Sequence, residues 1–179
     1  MHRIIVLIAL FGLLFDSVQA HAYELNFLNL TYGAESSDIE INATISQNGM
    51  MTLNSFLYKP IADYYMQVTI SFDDGTGNYG NTFINKTIDI CKFFSTPTYE
   101  PIIQLYYKAL MKHENNFPTI CPIVGPAYYY LRNVEISSMP VPPIVPGNNA
   151  YVHINYLMKE NQQFKSLASG KVFINFRKL

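Results

Sequence analysis

Asp89-Ile90-Cys91-Lys92-Phe93-Phe94 opens, and Cys121-Pro122-Ile123-Val124-Gly125-Pro126 closes, the one stretch that does not read as β. Between them, residues 102–113 carry Gln104, Lys108 and Lys112 at i, i+4 and i+8 as one polar stripe. Ile103, Tyr106 and Leu110 fall in a broad apolar face, the pattern of an amphipathic helix. Pro101 suits a first turn, where its missing N–H has no helical partner to lose. Asn115-Asn116, with Pro118 beyond, ends the helix. Cys91 and Cys121 are the only cysteines. In an oxidising compartment two cysteines most often pair, so a Cys91–Cys121 disulfide is expected to tie the helix onto a sheet; two free buried thiols are the other reading. Closing a loop of about thirty residues is worth ~3–4 kcal/mol in the chain-entropy model.

Working outward, the flanks alternate. Ile39, Ile41, Ala43 and Ile45 interleave with Asp38, Glu40, Asn42, Thr44 and Ser46, a half-buried strand. Gln47-Asn48-Gly49 is a hairpin signal, because Asn-Gly accepts positive φ at both turn positions. Residues 50–58 return as its partner. Tyr64, Met66, Val68, Ile70 and Phe72 face one way in a further strand, and Tyr65, Gln67, Thr69 and Ser71 the other. Further strands are expected at 25–32, in the run up to Cys91, at 127–136, 150–158 and 170–178, with 159–169 as a polar loop. Tyr128-Tyr129-Tyr130 would present rings to both faces. Residues 139–149 include Pro140-Val141-Pro142-Pro143 and Pro146-Gly147, a stiff extended spacer or pocket rim. The sum is a mainly β protein: an antiparallel β-sandwich of about eight strands with one amphipathic helix packed on it.

The first residues resemble an export signal rather than a fold. Arg3 is followed by an apolar run to Phe15 and a small-residue site at Ala20 or Ala22. The run is too short for a bilayer span of ~20 residues; an N-terminal anchor is the alternative. A cleaved signal peptide at 1–20 leaves one domain at 21–179, secreted and extracellular, without stable membrane insertion. Asn29-Leu30-Thr31, Asn42-Ala43-Thr44 and Asn85-Lys86-Thr87 are sequons, so Asn29, Asn42 and Asn85 are expected glycosylation sites.

Net charge is −1 and charged residues make up 14% of the chain, without a basic patch, which excludes nucleic acid as a partner. Aromatics reach 15%, with fourteen Tyr, twelve Phe and no Trp, so either the core is aromatic-rich or apolar surface lines a cavity. Enzyme signals are thin. Gly75, Gly77 and Gly80 spell G-x-G-x-x-G, but a strand-like segment follows where a nucleotide site needs a helix, so residues 73–80 read as a hairpin loop. Asp73 and Asp74 do not fit calcium-loop spacing. His113 and His153 stand apart in sequence, and neither a serine elbow nor a zinc motif is present. Asp89 reads as a backbone acceptor at a strand end rather than a buried acid. No catalytic residue, metal site or cofactor is expected.

Asp89-x-Cys91-Lys92, an amphipathic helix and Asn116-Phe117-Pro118-x-x-Cys121-Pro122 together resemble a large insect family of secreted proteins of unknown function. Pro146-Gly147 before Tyr151-Val152-His153-Ile154, and the closing Lys171-Val172-Phe173-Ile174-Asn175-Phe176, are similar to it too. That family includes the CheA and CheB chemosensory groups and is thought related to ganglioside-activator and MD-2-like lipid-recognition proteins, sandwiches with an apolar cavity. The resemblance covers about residues 85–178. It implies a secreted binding protein for a lipid or long-chain hydrocarbon, acting in chemosensation or pheromone perception, with a sensory receptor as a further partner. Ile103, Tyr106, Leu110, Tyr128 and Tyr130 are the candidate pocket residues. The rival reading is an extracellular protein–protein interaction module with a solid core.

Overall fold

Period-two alternation builds two antiparallel sheets in the computed structural model, which describes residues 23–96, 98–141 and 149–178. The strands are β1 (Tyr23–Ala34), β2 (Ile39–Ile45), β3 (Met50–Leu57), β4 (Tyr64–Phe72), β5 (Asn81–Asp89), β6 (Glu114–Asn115), β7 (Ala127–Glu135), β8 (Asn149–Glu160) and β9 (Gln163–Lys178). Two helices, α1 (Ile90–Ser95) and α2 (Pro101–Leu110), lie between β5 and β6. One sheet has the order β1-β9-β8-β4-β5 and the other β2-β3-β7-β6. Edge strand β1 runs against edge strand β2 on one side of the sandwich. On the other side the chain passes from edge strand β5 to edge strand β6 through both helices. The expected sandwich is therefore present, with the very short β6 as the strand beyond the expected eight.

Several local readings change. The strand expected in the run up to Cys91 is β5, but Cys91 itself lies in α1: β5 stops at Asp89, whose Oδ1 accepts from the Lys92 amide at 2.9 Å and caps the helix. A side-chain acceptor at that position satisfies a helix-start N–H, so the apolar Ile90 and Phe93 are buried on one face of a short helix. The longer helix starts at Pro101 and stops at Leu110 rather than His113. There the Asn115 side chain donates to the Met111 and His113 carbonyls at 3.4 and 2.8 Å, taking up acceptors that a longer helix would have used. Gln104 does not sit on a wet stripe with Lys108 and Lys112. It is half-buried, and its amide donates to the Phe93 carbonyl at 3.1 Å, joining α2 to α1.

Residues 159–169 are not a loop. β8 and β9 meet in a tight turn at Asn161 and Gln162, both at positive φ (49° and 66°). Without a glycine, that turn leaves no signature in the sequence, and holding Gln162 left-handed costs roughly 1 kcal/mol. The strand that results buries Leu167 and Ala168 completely. In the Gln47-Asn48-Gly49 turn only Gly49 takes positive φ (74°), the three-residue hairpin form rather than the two-residue one. Residues 73–80 form the β4–β5 hairpin loop: Asp73 Oδ1 accepts from the Gly75 and Gly77 amides at 2.8 and 2.9 Å. The expected signal peptide at 1–20 and most of the expected proline-rich spacer lie outside the described residues.

Cys91 and Cys121 are bonded, with Cα atoms 5.5 Å apart. The segment after Cys121 is also stitched to the β3–β4 connection, where Ile61 and Ile123 exchange two backbone hydrogen bonds of 2.9 Å. The helical side of the sandwich is thus fixed at α1 and again where it rejoins the second sheet.

Candidate functional site

The inner faces of the sheets do not meet everywhere. They leave between them a partly open cavity of about 370 Å³. From the five-stranded sheet come Tyr64, Met66, Val68, Ile70 and Phe72 of β4, the face the alternation assigns to the interior, with Val152, Ile154 and Tyr156 of β8 and Ile174 and Phe176 of β9. The opposite wall is Met51, Leu53 and Leu57 of β3 with Tyr129, Leu131 and Val134 of β7. Phe93 and Phe94 of α1 and Ile103, Tyr106, Tyr107 and Leu110 of α2 close the remaining side. Tyr107 packs its ring edge-on to Phe93, with centroids 5.3 Å apart, and also meets Phe94 at 5.9 Å. Among the described residues, none lining the cavity carries a formal charge.

Of the five expected pocket residues, Ile103, Tyr106 and Leu110 line the cavity. Tyr128 and Tyr130 do not. β7 alternates, and Tyr129 is its inward ring. Tyr128, 46% exposed, donates its hydroxyl to Asn54 Oδ1 on the outer face. Tyr130 lies beside it, with the Arg132 guanidinium 4.3 Å above its ring. Three consecutive tyrosines give no parity of their own; it comes from Leu131, which is buried, two places after Tyr129. Tyr64 and Tyr156, each in a strand read correctly, were missed as site residues because alternation marks a face but not a void.

The polar atoms of the site are mainly phenols. Burial pushes the Tyr64 phenol well above its usual range, with the neighbouring Tyr156 adding to it. Burial likewise raises Tyr156, Tyr106, Tyr107 and Tyr129. All five therefore stay protonated and neutral through the ordinary pH range. The Tyr129 hydroxyl donates to the Val124 carbonyl at 2.8 Å. His113 and His153 are far from such roles: His113 Nε2 meets Ser138 Oγ at 3.2 Å, and His153 stacks on Tyr151 on the outer face of β8. Among the described residues no group of His, Cys, Asp or Glu could hold a metal ion. Asn29, Asn42 and Asn85 are all exposed, where glycans would not touch the cavity.

An uncharged apolar cavity between two antiparallel sheets, walled on one side by a disulfide-pinned helical segment, defines the class: a cavity-bearing β-sandwich. Over residues 64–150 the chain matches the model of a family described as a protein of unknown function, DUF1091. The matched span runs from the first residue of β4 into β8 and holds both cysteines and both helices. No curated protein matches the sequence.

Proposed function

We propose that the protein is a secreted carrier that holds an apolar small molecule, a lipid or long-chain hydrocarbon, in the cavity between its sheets. The cavity is the observation that carries this reading. Protein interiors are close-packed. Left empty, an apolar space of about 370 Å³ forfeits packing contacts that a close-packed interior would make. A ligand in that space restores the lost contacts, at ~25 cal/mol per Å² of apolar surface buried. The volume falls in the range of ~300–1,000 Å³ typical of small-molecule sites. The disulfide suits an oxidising, extracellular setting. The family match covers the Cys–helix–Cys-Pro unit on which the resemblance to chemosensory proteins rests; a role in contact chemosensation with a sensory receptor downstream is part of the same proposal.

Native mass spectrometry of protein from a eukaryotic secretory host tests the carrier. A stoichiometric adduct lost on organic extraction is expected, together with uptake of a fluorescent apolar dye by the extracted protein. A bare protein that also refuses the dye would overturn the reading. That result would favour the interaction module, for which α2 offers Ile102 and Leu105, each 54% exposed on its outer side.

A further inference from the structure

Tyr64 and Tyr156 stand side by side on the cavity wall. Tyr64 lies opposite Met158 and Tyr156 opposite Met66 in the β4–β8 register, which makes the two tyrosines diagonal neighbours. Their rings are nearly parallel, 10° apart in plane, with centroids separated by 6.0 Å. Neither hydroxyl has a hydrogen-bond partner among the described residues. Neither is sealed by packing, since no unpartnered polar side-chain atom is fully enclosed. Tyr129 shows the contrast: it lines the same cavity, but its hydroxyl is spent on the Val124 carbonyl. A phenylalanine at 64 or 156 would keep the ring contacts and present no hydroxyl to the cavity.

The two ends of the interior differ. Tyr64 and Tyr156 pack beside Leu57, Ile61, Ile123 and Leu167, next to the disulfide. The other end is built from Leu25, Phe72, Ala150, Ile174 and Phe176; Tyr23 packs against this cluster but is not among the residues lining the cavity. No charge lines either end among the described residues. A carboxylate, phosphate or ammonium brought inside would lose its water and find no counter-charge, a severe penalty. A pure alkane would leave both hydroxyls unmet.

We infer that the ligand is an uncharged long-chain lipid with one oxygen function, an ester, ketone or alcohol, its oxygen held by the Tyr64 and Tyr156 hydroxyls and its chain running toward Phe72 and Phe176. This rests on the carrier reading above and narrows it. The phenols act as donors because burial keeps them protonated. The alignment also sets direction: the polar group lies at the disulfide end, the chain at the end where Phe72 and Phe176 meet, 6.1 Å between centroids.

The test is displacement of Nile red from extracted protein by four probes of equal chain length: dodecane, dodecanol, methyl dodecanoate and dodecanoate. Dodecanol and methyl dodecanoate should displace the dye at about 3- to 10-fold lower concentration than dodecane. Dodecanoate, carrying a charge, should be weakest by at least about tenfold. In a Tyr64→Phe/Tyr156→Phe double variant the preference for the oxygenated probes should vanish while dodecane binds as before. Equal displacement by all four, a preference for dodecanoate, or a preference retained in the double variant would overturn the inference while leaving the carrier intact. Failure of the protein to bind Nile red or any probe would instead overturn the carrier itself, and this inference with it. The order of the four probes on the unaltered protein decides the matter even if the double variant does not fold.

Discussion

Gly125 sits where one methyl group would meet main chain. A Cβ built there lies 2.5 Å from the Lys59 carbonyl carbon and 2.6 Å from its oxygen. Neither side can yield easily, because the paired Ile61 and Ile123 amides hold the two segments together close by. Gly125→Ala should therefore lower stability by ~1–3 kcal/mol, read as a drop in Tm by circular dichroism; an unchanged Tm would show that the segments can part. Tyr64 and Tyr156 predict a pH response. Their folded pKa lies above the ordinary phenol value of ~10, so the unfolded chain releases protons that the native state still holds. Stability should be unaffected by these groups below about pH 10 and fall as pH rises above it, continuing until the folded phenols ionise. Urea unfolding at about pH 9 and about pH 11 should show a smaller loss in the Tyr64→Phe/Tyr156→Phe variant than in the parent. An equal loss would mean that the other buried phenols dominate. At this scale the sequence was readable where polar and apolar residues alternate, as at 64–72. It was unreadable at 128–130, where three identical side chains carry no phase.

Among the elements, the helical segment was recognisable because proline, polar spacing and two cysteines mark its limits. Its first turn was not, since Ile90, Phe93 and Phe94 look as much like a strand as like one face of a short helix. The β8–β9 hairpin escaped notice for a different reason: a turn at Asn161 and Gln162 lacks the glycine that usually betrays it. The disulfide belongs to this scale as well. Cys91→Ser should lower stability by ~3–4 kcal/mol from lost loop closure, measured by urea unfolding. It should also speed amide hydrogen exchange in α1 and α2 more than in β4, because the bond fixes the helical wall and not the sheet. Uniform acceleration across the domain would mean that the wall and the sheets open together.

For the whole molecule, a two-sheet sandwich follows from strand spacing, but the width of the space between the sheets does not. That width depends on how far apart the helical side holds β5 and β6, a distance no local pattern encodes. Filling the space should separate binding from folding. Ile154→Phe places a larger ring on the cavity wall; Tm should hold or rise while dye uptake falls at least about tenfold. A fall in Tm with uptake intact would place residue 154 against packed neighbours instead. The strand order has one more consequence, concerning synthesis. Tyr23 pairs with Lys178, and β9 sits between β1 and β8. The first described strand thus has no sheet to join until the last has been made. The apolar face of β1 must wait for it while the intervening strands are made. Contacts so distant along the chain slow folding, and the waiting surfaces invite aggregation. The sheet is complete only once β9 is available, and a ribosome-bound chain truncated before β9 should remain protease-sensitive throughout.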